Sequence, residues 1–467
     1  MIFNLNKNMK IKVQTPVGTS DSAKIGPGLG QGGVLPAPLS SLNMDSGLKD
    51  TFDDEEKEVK YIDLPLAPMS FLDDVLRMCE DVDSAQYAND KMETMLGKKS
   101  LELNLEKSSF LVIGNKKARK NITAQLKKSP LKLCGINMKE EKVIKYLGDS
   151  LMSTLEDSVH KTVSSRIGVA RHAIYEIRAI VEDSRASSVG GINLAYTIWD
   201  QAILGSLLLN SETWEVLPKK TMKLLKDTTN LFHRSILRVG TGMPIVSLYW
   251  LSGSLQIEYS ILLRQLNFVH HLANLPPDSL GREVLELQKL HRLPSLALHL
   301  EAHLDAIGVS DLMQVSKWQW RRLTKKYVLK LNQESLLEEA KKYKKVSYDE
   351  MAKETFGRKP YFYSMSLEDV RYRTRIHSKM IDVRGNFSRK YKRKGLTCPS
   401  CKGERKNSSE SPPVESQEHL ENSCVAFDSI REKYDLSADS EVVSFFREAL
   451  EHRDKLVEAE DDDEEND

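Results

Sequence analysis

The series Cys398-Pro-Ser-Cys401 followed by His419 and Cys424, C-x2-C-x17-H-x4-C, constrains this chain more than any other stretch. Four soft donors at that spacing match the ligand set of a closed structural zinc site, and an ion held by all four draws distant positions of the chain to one point. The C-x2-C half forms a tight knuckle, and His419 and Cys424, a little over one helical turn apart, present both donors from one helix. The Ser/Pro-rich piece between them, which includes 407–416, then becomes a loop closed by metal. Four protein ligands leave no open position, so the expected role of the zinc is structural.

The remaining composition sets outer bounds. A chain of 467 residues has room for two to four domains and a sizeable core. Its 68 basic and 67 acidic residues nearly cancel, so the distribution of charge matters more than the sum. The last eight residues (EDDDEEND) form an acidic run, expected as a solvated, disordered tail from 454 to 467, whereas 371–394 is strongly basic. No apolar run reaches the length of a membrane span and the N-terminus lacks a signal-peptide pattern, so the expectation is an intracellular protein, nuclear or cytoplasmic, without membrane partners. Five cysteines are too few and too unevenly placed for a disulfide scaffold. In a reducing compartment the glycosylation pattern Asn121-Ile122-Thr123 carries no meaning.

Hydrophobic periodicity divides the chain. From Ile11 to Leu151 the pattern is mixed, with strand-like pieces at 11–14, 59–63, 70–77, 109–113, 131–134 and 143–147. A helix is predicted over 83–97, with Ala85, Ala88, Met92, Met95 and Leu96 on one face. From about 154 to 380 the pattern is helical. Leu225, Phe232, Ile236 and Val239 define a helix over 223–239 with Gly240 at its C-cap. His270 and His271 sit in a leucine- and aromatic-rich helical segment and are expected as core residues, not ligands. Two helices are predicted within 427–452, the second capped by Asp439 or Ser440.

The segment Met69 to Met78 (MSFLDDVLRM) places Asp73 and Asp74 at the turn between two short apolar strands. Paired carboxylates are hard ligands suited to magnesium, although an Asp-Asp pair by itself is also a common polar turn. Its context narrows the choice. Upstream lies Gln31-Gly32 within the glycine-rich IGPGLGQGG, and downstream come Lys107-Ser108 and then Lys145-Tyr146-Leu147-Gly148. In order and spacing these segments resemble the later palm motifs of reverse transcriptases of non-LTR retrotransposons. The resemblance implies RNA-directed DNA polymerisation with two magnesium ions. By that likeness Gln31 and Gly32 line the nucleotide pocket, Asp73 is the main magnesium ligand beside Asp74, Lys107 assists the leaving pyrophosphate, and Lys145, Tyr146, Leu147 and Gly148 grip the primer. RNA template and DNA primer are the partners it implies. Residues 248–280 resemble the family's thumb region, and zinc-knuckle-like motifs follow the polymerase region in some of its members.

One departure sets an expectation. The family's further metal-binding aspartate stands on a strand ahead of the Gln-Gly motif, and nothing before Ile25 matches it. Two-metal transfer needs carboxylates holding ions about 3.5 to 4 Å apart. This chain alone is therefore expected not to polymerise DNA, and two magnesium ions are expected only if that carboxylate is supplied. The alternative is a non-catalytic RNA- or DNA-binding zinc-knuckle protein of retrotransposon origin. Arg389, Lys390, Lys392, Arg393 and Lys394, interleaved with Tyr391, are candidate phosphate contacts, as are Arg371, Arg373 and Arg375 beside Tyr372. A nuclear-import signal accounts for the first of these clusters equally well.

The expected architecture is α+β: a partial polymerase palm (1–151), a mostly helical thumb and connector (152–380), a basic segment with a small CCHC zinc knuckle and flanking helices (381–453), and the acidic tail (454–467).

Overall fold

The computed structural model describes residues 10–12, 14–15, 18–24, 36–52, 59–99, 101–183, 189–215, 217–309, 311–343, 348–384, 386, 395–404 and 413–465. It is mostly helical with a few small sheets, in keeping with the α+β expectation. The chain forms two compact units, 1–155 and 156–467.

In the first unit the described strands form seven two-stranded ladders, six antiparallel and one parallel. A lone two-stranded ladder is marginal in water, so helices must cover it. The helix Val82–Lys98 does this near the aspartate hairpin, and extends the predicted 83–97 helix by one residue at each end. It starts at a capping box: the Ser84 N–H donates to the Asp81 carboxylate at 2.7 Å and the Asp81 N–H to Ser84 Oγ at 3.2 Å. Its buried Ala88, Met95 and Leu96 meet Met44, Leu48 and Phe52, and Val75 of the hairpin packs on the same cluster.

The second unit holds several buried clusters, the largest of which includes the C-terminal cysteines. The helix Lys219–Leu237 supplies Phe232, which stacks on Trp199 at 4.3 Å and meets the edge of Tyr196 at 5.1 Å. This helix begins four residues before the predicted start, and it ends not at Gly240 but at Arg238, which takes the left-handed conformation with φ 48°. The reason is local: the Arg238 N–H closes on the Arg234 carbonyl, while Arg234 reaches forward to the carbonyls of Gly240 and Met243. These contacts hold the chain in its turn without glycine. His270 is core, as predicted; its ring stacks on Trp320 at 5.1 Å and its Nε2 lies 2.9 Å from the Val315 carbonyl. His271 faces solvent instead. No helix among the described residues is long and apolar enough to cross a membrane.

Arg371 was expected to face a phosphate, and it does not. Only 1 % exposed, it donates to the Ile236 carbonyl at 3.0 Å, to Glu182 at 3.0 Å and to Glu368 at 2.8 Å. Arg373 pairs with Asp439 at 2.7 Å and Arg375 reaches the Arg238 carbonyl at 3.3 Å. The helical period puts Arg371 and Arg375 on one side and Arg373 on the other; only Arg371 is buried, and each cation meets oxygen partners.

The segment expected as a small separate knuckle is also continuous with the largest of these clusters. Cys398, Cys401, Leu420, Cys424, Phe427, Phe445 and Phe446 belong to the same buried cluster as Ile174, Tyr196, Trp199, Phe232 and Phe362. The predicted pair of helices near the end appears as Asp428–Arg431 and Asp439–Glu465. The second continues through most of the acidic run expected as a disordered tail. A helix already anchored by Phe445, Phe446 and Ala449 extends at about one hydrogen bond per added residue, and glutamate is a good helix former.

Candidate metal centre

Two short helices and a turn bring the four donors together. Cys398 directly precedes the helix Pro399–Glu404, Cys401 lies within it, His419 sits on the helix Gln417–Asn422, and Cys424 opens the 3-10 turn Val425–Phe427. A bridge between Thr397 and Val414 closes the base of the loop, supported by the Cys398 N–H donating to the Pro413 carbonyl at 2.8 Å. The Ser416 hydroxyl caps the second helix by accepting from the His419 N–H at 3.0 Å, which fixes where the imidazole leaves the backbone.

The ligand atoms of Cys398, Cys401, His419 and Cys424 all lie within 4.8 Å of one another, and all four residues are buried. Sγ of Cys424 is 3.8 Å from Sγ of Cys398 and 3.5 Å from Sγ of Cys401, and Cys401 Sγ is 3.3 Å from His419 Nε2. Zn–S bonds of about 2.3 Å and a Zn–N bond of about 2.05 Å give tetrahedral edges of about 3.8 Å between sulfurs and about 3.6 Å from sulfur to nitrogen. The donors therefore fit one tetrahedral ion. They do not fit a disulfide, whose sulfurs stand about 2.05 Å apart.

Neighbouring groups orient the set. His419 Nδ1 lies 3.0 Å from Ser423 Oγ, an arrangement that leaves Nε2 free to face a metal. Arg431 donates to the carbonyls of Leu420 and Cys424, at 2.8 and 2.7 Å, and ties the ligand turn down. The thiol–thiol contact between Cys398 and Cys424 lowers the pKa of Cys398 against burial and, with burial, raises that of Cys424. Thiolates are the metal-binding form, so metal capture at this site releases protons.

Close by, Glu415 is 0 % exposed and lies between Arg384 and Arg453, which are 3 % and 5 % exposed. It accepts from the Arg384 N–H at 2.7 Å and stands 3.6 Å from Arg453. Burial raises its pKa, the two arginines oppose that shift, and Cys398 adds to it. Arg453 also pairs with Asp454 at 2.8 Å, and the Arg384 guanidinium donates to the Thr397 carbonyl at 3.1 Å. Sequence reasoning passed over Ser416, Ser423, Glu415 and Arg431. The signal available for the first was its place three residues before His419, where an N-cap serine belongs.

The other predicted site residues do not assemble in this way. Asp73 lies in the turn of the hairpin Met69–Phe71 with Asp74–Leu76, Asp74 opens the second strand, and both are exposed. The turn carries a positive φ at Leu72 alone, 60°, the pattern of a II′ hairpin. Among the described residues no third carboxylate, histidine or cysteine joins the pair in a metal-holding group. Lys107 is an exposed residue of a turn held by Asn104. Lys145 and Tyr146 end a strand paired with Asp149–Leu151, and Leu147 and Gly148 form the connecting turn with φ 47° and 85°. That I′ geometry needs two positive φ values, which explains the glycine. Burial, and after it the Asp74 carboxylate, raise the pKa of Tyr146, which places Asp74 within electrostatic reach of the primer-gripping turn expected from the sequence. Gln31, Gly32, Arg389, Lys390, Lys392, Arg393 and Lys394 lie outside the described residues.

Compared with protein-family models, curated proteins and solved structures, the chain matches none.

Proposed function

We propose that this chain is a retrotransposon-derived RNA- or DNA-binding protein that does not polymerise by itself, with a helical unit fixed by one structural zinc. The observation that carries the reading is a contrast between two candidate metal groups. The Cys3His set is complete, buried and tetrahedrally spaced, whereas the Asp73-Asp74 pair is exposed and stands without a third ligand among the described residues. The order of the Gln-Gly, Asp-Asp, Lys-Ser and Lys-Tyr-Leu-Gly segments supports descent from a reverse transcriptase of a non-LTR retrotransposon, with 1–151 as a partial palm and the helical unit as thumb and connector. In that reading RNA template and DNA primer were the ancestral partners. Among the described residues no group fits a two-magnesium centre, so no catalytic step is assigned. Zinc, where bound, supplies cohesion only: it joins the C-x2-C helix to the His419 helix beneath Phe427, Phe445 and Phe446.

Primer extension on a primed RNA template with magnesium is expected to give no product. Extension that Asp73→Ala abolishes would show instead an active polymerase. Binding to labelled RNA is expected, with a steep salt dependence. Changing Arg389, Lys390, Lys392, Arg393 and Lys394 together to Ala should lower the log–log salt slope by about 3 to 4, at about 0.7 per phosphate contact on a single strand. An unchanged slope and affinity would remove that segment from the interface.

A further inference from the structure

The helix Lys317–Ala340 carries its charge in an unfavourable place. Lys317, Arg321, Arg322, Lys325, Lys326 and Lys330 fall within fourteen residues, and no acidic residue occurs before Glu334. A helix N-terminus bears partial positive charge, so anions stabilise it and cations oppose it. Here the first turn has no acidic residue, and a capping box between Ser316 and Gln319 holds the start of the helix instead. Among the described residues Lys317, Arg321, Arg322, Lys325 and Lys326 form no ion pair with a carboxylate. All five are exposed.

At 100° per residue these cations occupy a continuous arc, and Trp318 lies near its middle. Trp318 is 69 % exposed, and the Arg322 guanidinium stands 5.7 Å from its ring centre. A large indole held in water among unpaired cations has no structural use on this face. The opposite face is fixed: Trp320 is 1 % exposed and donates to the Leu266 carbonyl at 3.1 Å, with Thr324 and Val328 fully buried below it. The arc is therefore displayed from a rigid support.

We infer that the exposed face formed by Trp318, Arg321, Arg322, Lys325 and Lys326 is a binding surface for single-stranded nucleic acid, the cations contacting phosphates and the indole stacking on an unpaired base. Charge complementarity selects a polyanion, and a lone exposed aromatic among the cations selects a strand whose bases are unpaired. Anionic membrane is the competing polyanionic surface, but the apolar face a surface-lying helix would insert is here buried against the core through Trp320 and Val328. The inference rests on the nucleic-acid-binding reading above and assigns it a place that the sequence motifs did not.

The test uses the full chain and a fluorescein-labelled single-stranded RNA of mixed sequence, a blunt duplex of the same length, and phosphatidylserine-containing vesicles. Changing Arg321, Arg322, Lys325 and Lys326 together to Ala should lower the salt slope on the single strand by about 3. Trp318→Ala should weaken binding by about five- to a hundred-fold, with Trp318→Phe restoring most of it and the duplex binding less tightly than the strand. Melting of the quadruple variant should be little changed, since the four side chains are exposed and make no ion pair among the described residues, and alanine is a good helix former. Wild-type affinity and slope in the quadruple variant, no loss in Trp318→Ala, or binding to vesicles with none to RNA would each overturn the inference. If wild-type chain binds RNA and only this quadruple variant is silent, the surface is wrong and the functional reading stands; if wild-type chain binds no nucleic acid, both fail.

Discussion

Cys401→Ser is expected to remove bound zinc and to lower the melting temperature by about 5 to 8 °C. Cys401 is the most informative ligand to change because its sulfur faces both Cys424, at 3.5 Å, and His419 Nε2, at 3.3 Å. Serine keeps the volume and loses the soft donor that zinc prefers. In small zinc-finger peptides the metal accounts for about 10 to 16 kcal/mol and the peptide is unfolded without it. The loss here should be smaller, about 3 to 5 kcal/mol, because the cysteines share a core with aromatic residues that pack without metal. At about 2.1 cal/mol/K of unfolding entropy per residue, one kcal/mol moves the melting point of a unit spanning 156–467 by about 1.5 °C, which gives the expected shift. Metal analysis of protein purified without chelator should find about one zinc per chain, and chelation of the wild type should reproduce the variant's melting curve. Zinc-free wild-type protein with an unshifted Cys401→Ser variant would eliminate the metal centre.

Glu182→Gln should be the more damaging half of a pair with Arg371→Met. The Glu182 carboxylate sits among Arg178, Arg238 and Arg371, each within 3.0 Å. Burial works against its charge, but hydrogen bonds from Arg238, Arg178 and Arg371 outweigh that and hold it at about 2, below its ordinary 4.5. Removing the negative charge leaves the Arg371 guanidinium, 1 % exposed, with only Glu368 as a carboxylate partner, and Glu368 is itself 63 % exposed. Breaking a buried pair from one side costs about 3 to 5 kcal/mol, whereas an apolar replacement of similar volume is often close to neutral. Because Glu368 compensates in part, about 2 to 4 kcal/mol is expected for Glu182→Gln and less for Arg371→Met. A depressed carboxylate pKa gives stability that is complete above about 4.5 and is lost as pH falls toward 2. The stability gap between wild type and Glu182→Gln, measured by denaturant unfolding, should thus narrow over that interval. A gap that stays constant from pH 6 to pH 2.5 would show that the ion network is not its source.

Much of the local structure was legible in the sequence. The Val82–Lys98 helix followed from one apolar face, the Asp73 hairpin tip from turn chemistry between short apolar runs, and the Leu147-Gly148 turn from the family resemblance. The four side chains of the candidate metal centre were named by donor type and spacing alone. Signals that depend on what a residue packs against were not legible. Arg371 to Arg375 has the composition of a phosphate-binding cluster, yet Glu182, Glu368, Asp439 and main-chain carbonyls from distant segments take up those charges. The acidic run after 454 is solvated by composition, yet its helix is propagated from a buried anchor at Phe445 and Phe446.

What the sequence determined by itself was local: the donor set of the candidate metal centre, the Asp73 hairpin tip, and the helical period that puts Trp318 and Trp320 on opposite faces of one helix. The tertiary structure decided which face is which. Trp320 lies against His270 and Leu266 because the helix Ile257–Ala273 packs on that side, and Trp318 is left among cations in water. It likewise made the metal centre part of the main hydrophobic core instead of a detached knuckle. Burial is a property of long-range neighbours, and spacing along the chain fixes only which residues share a face.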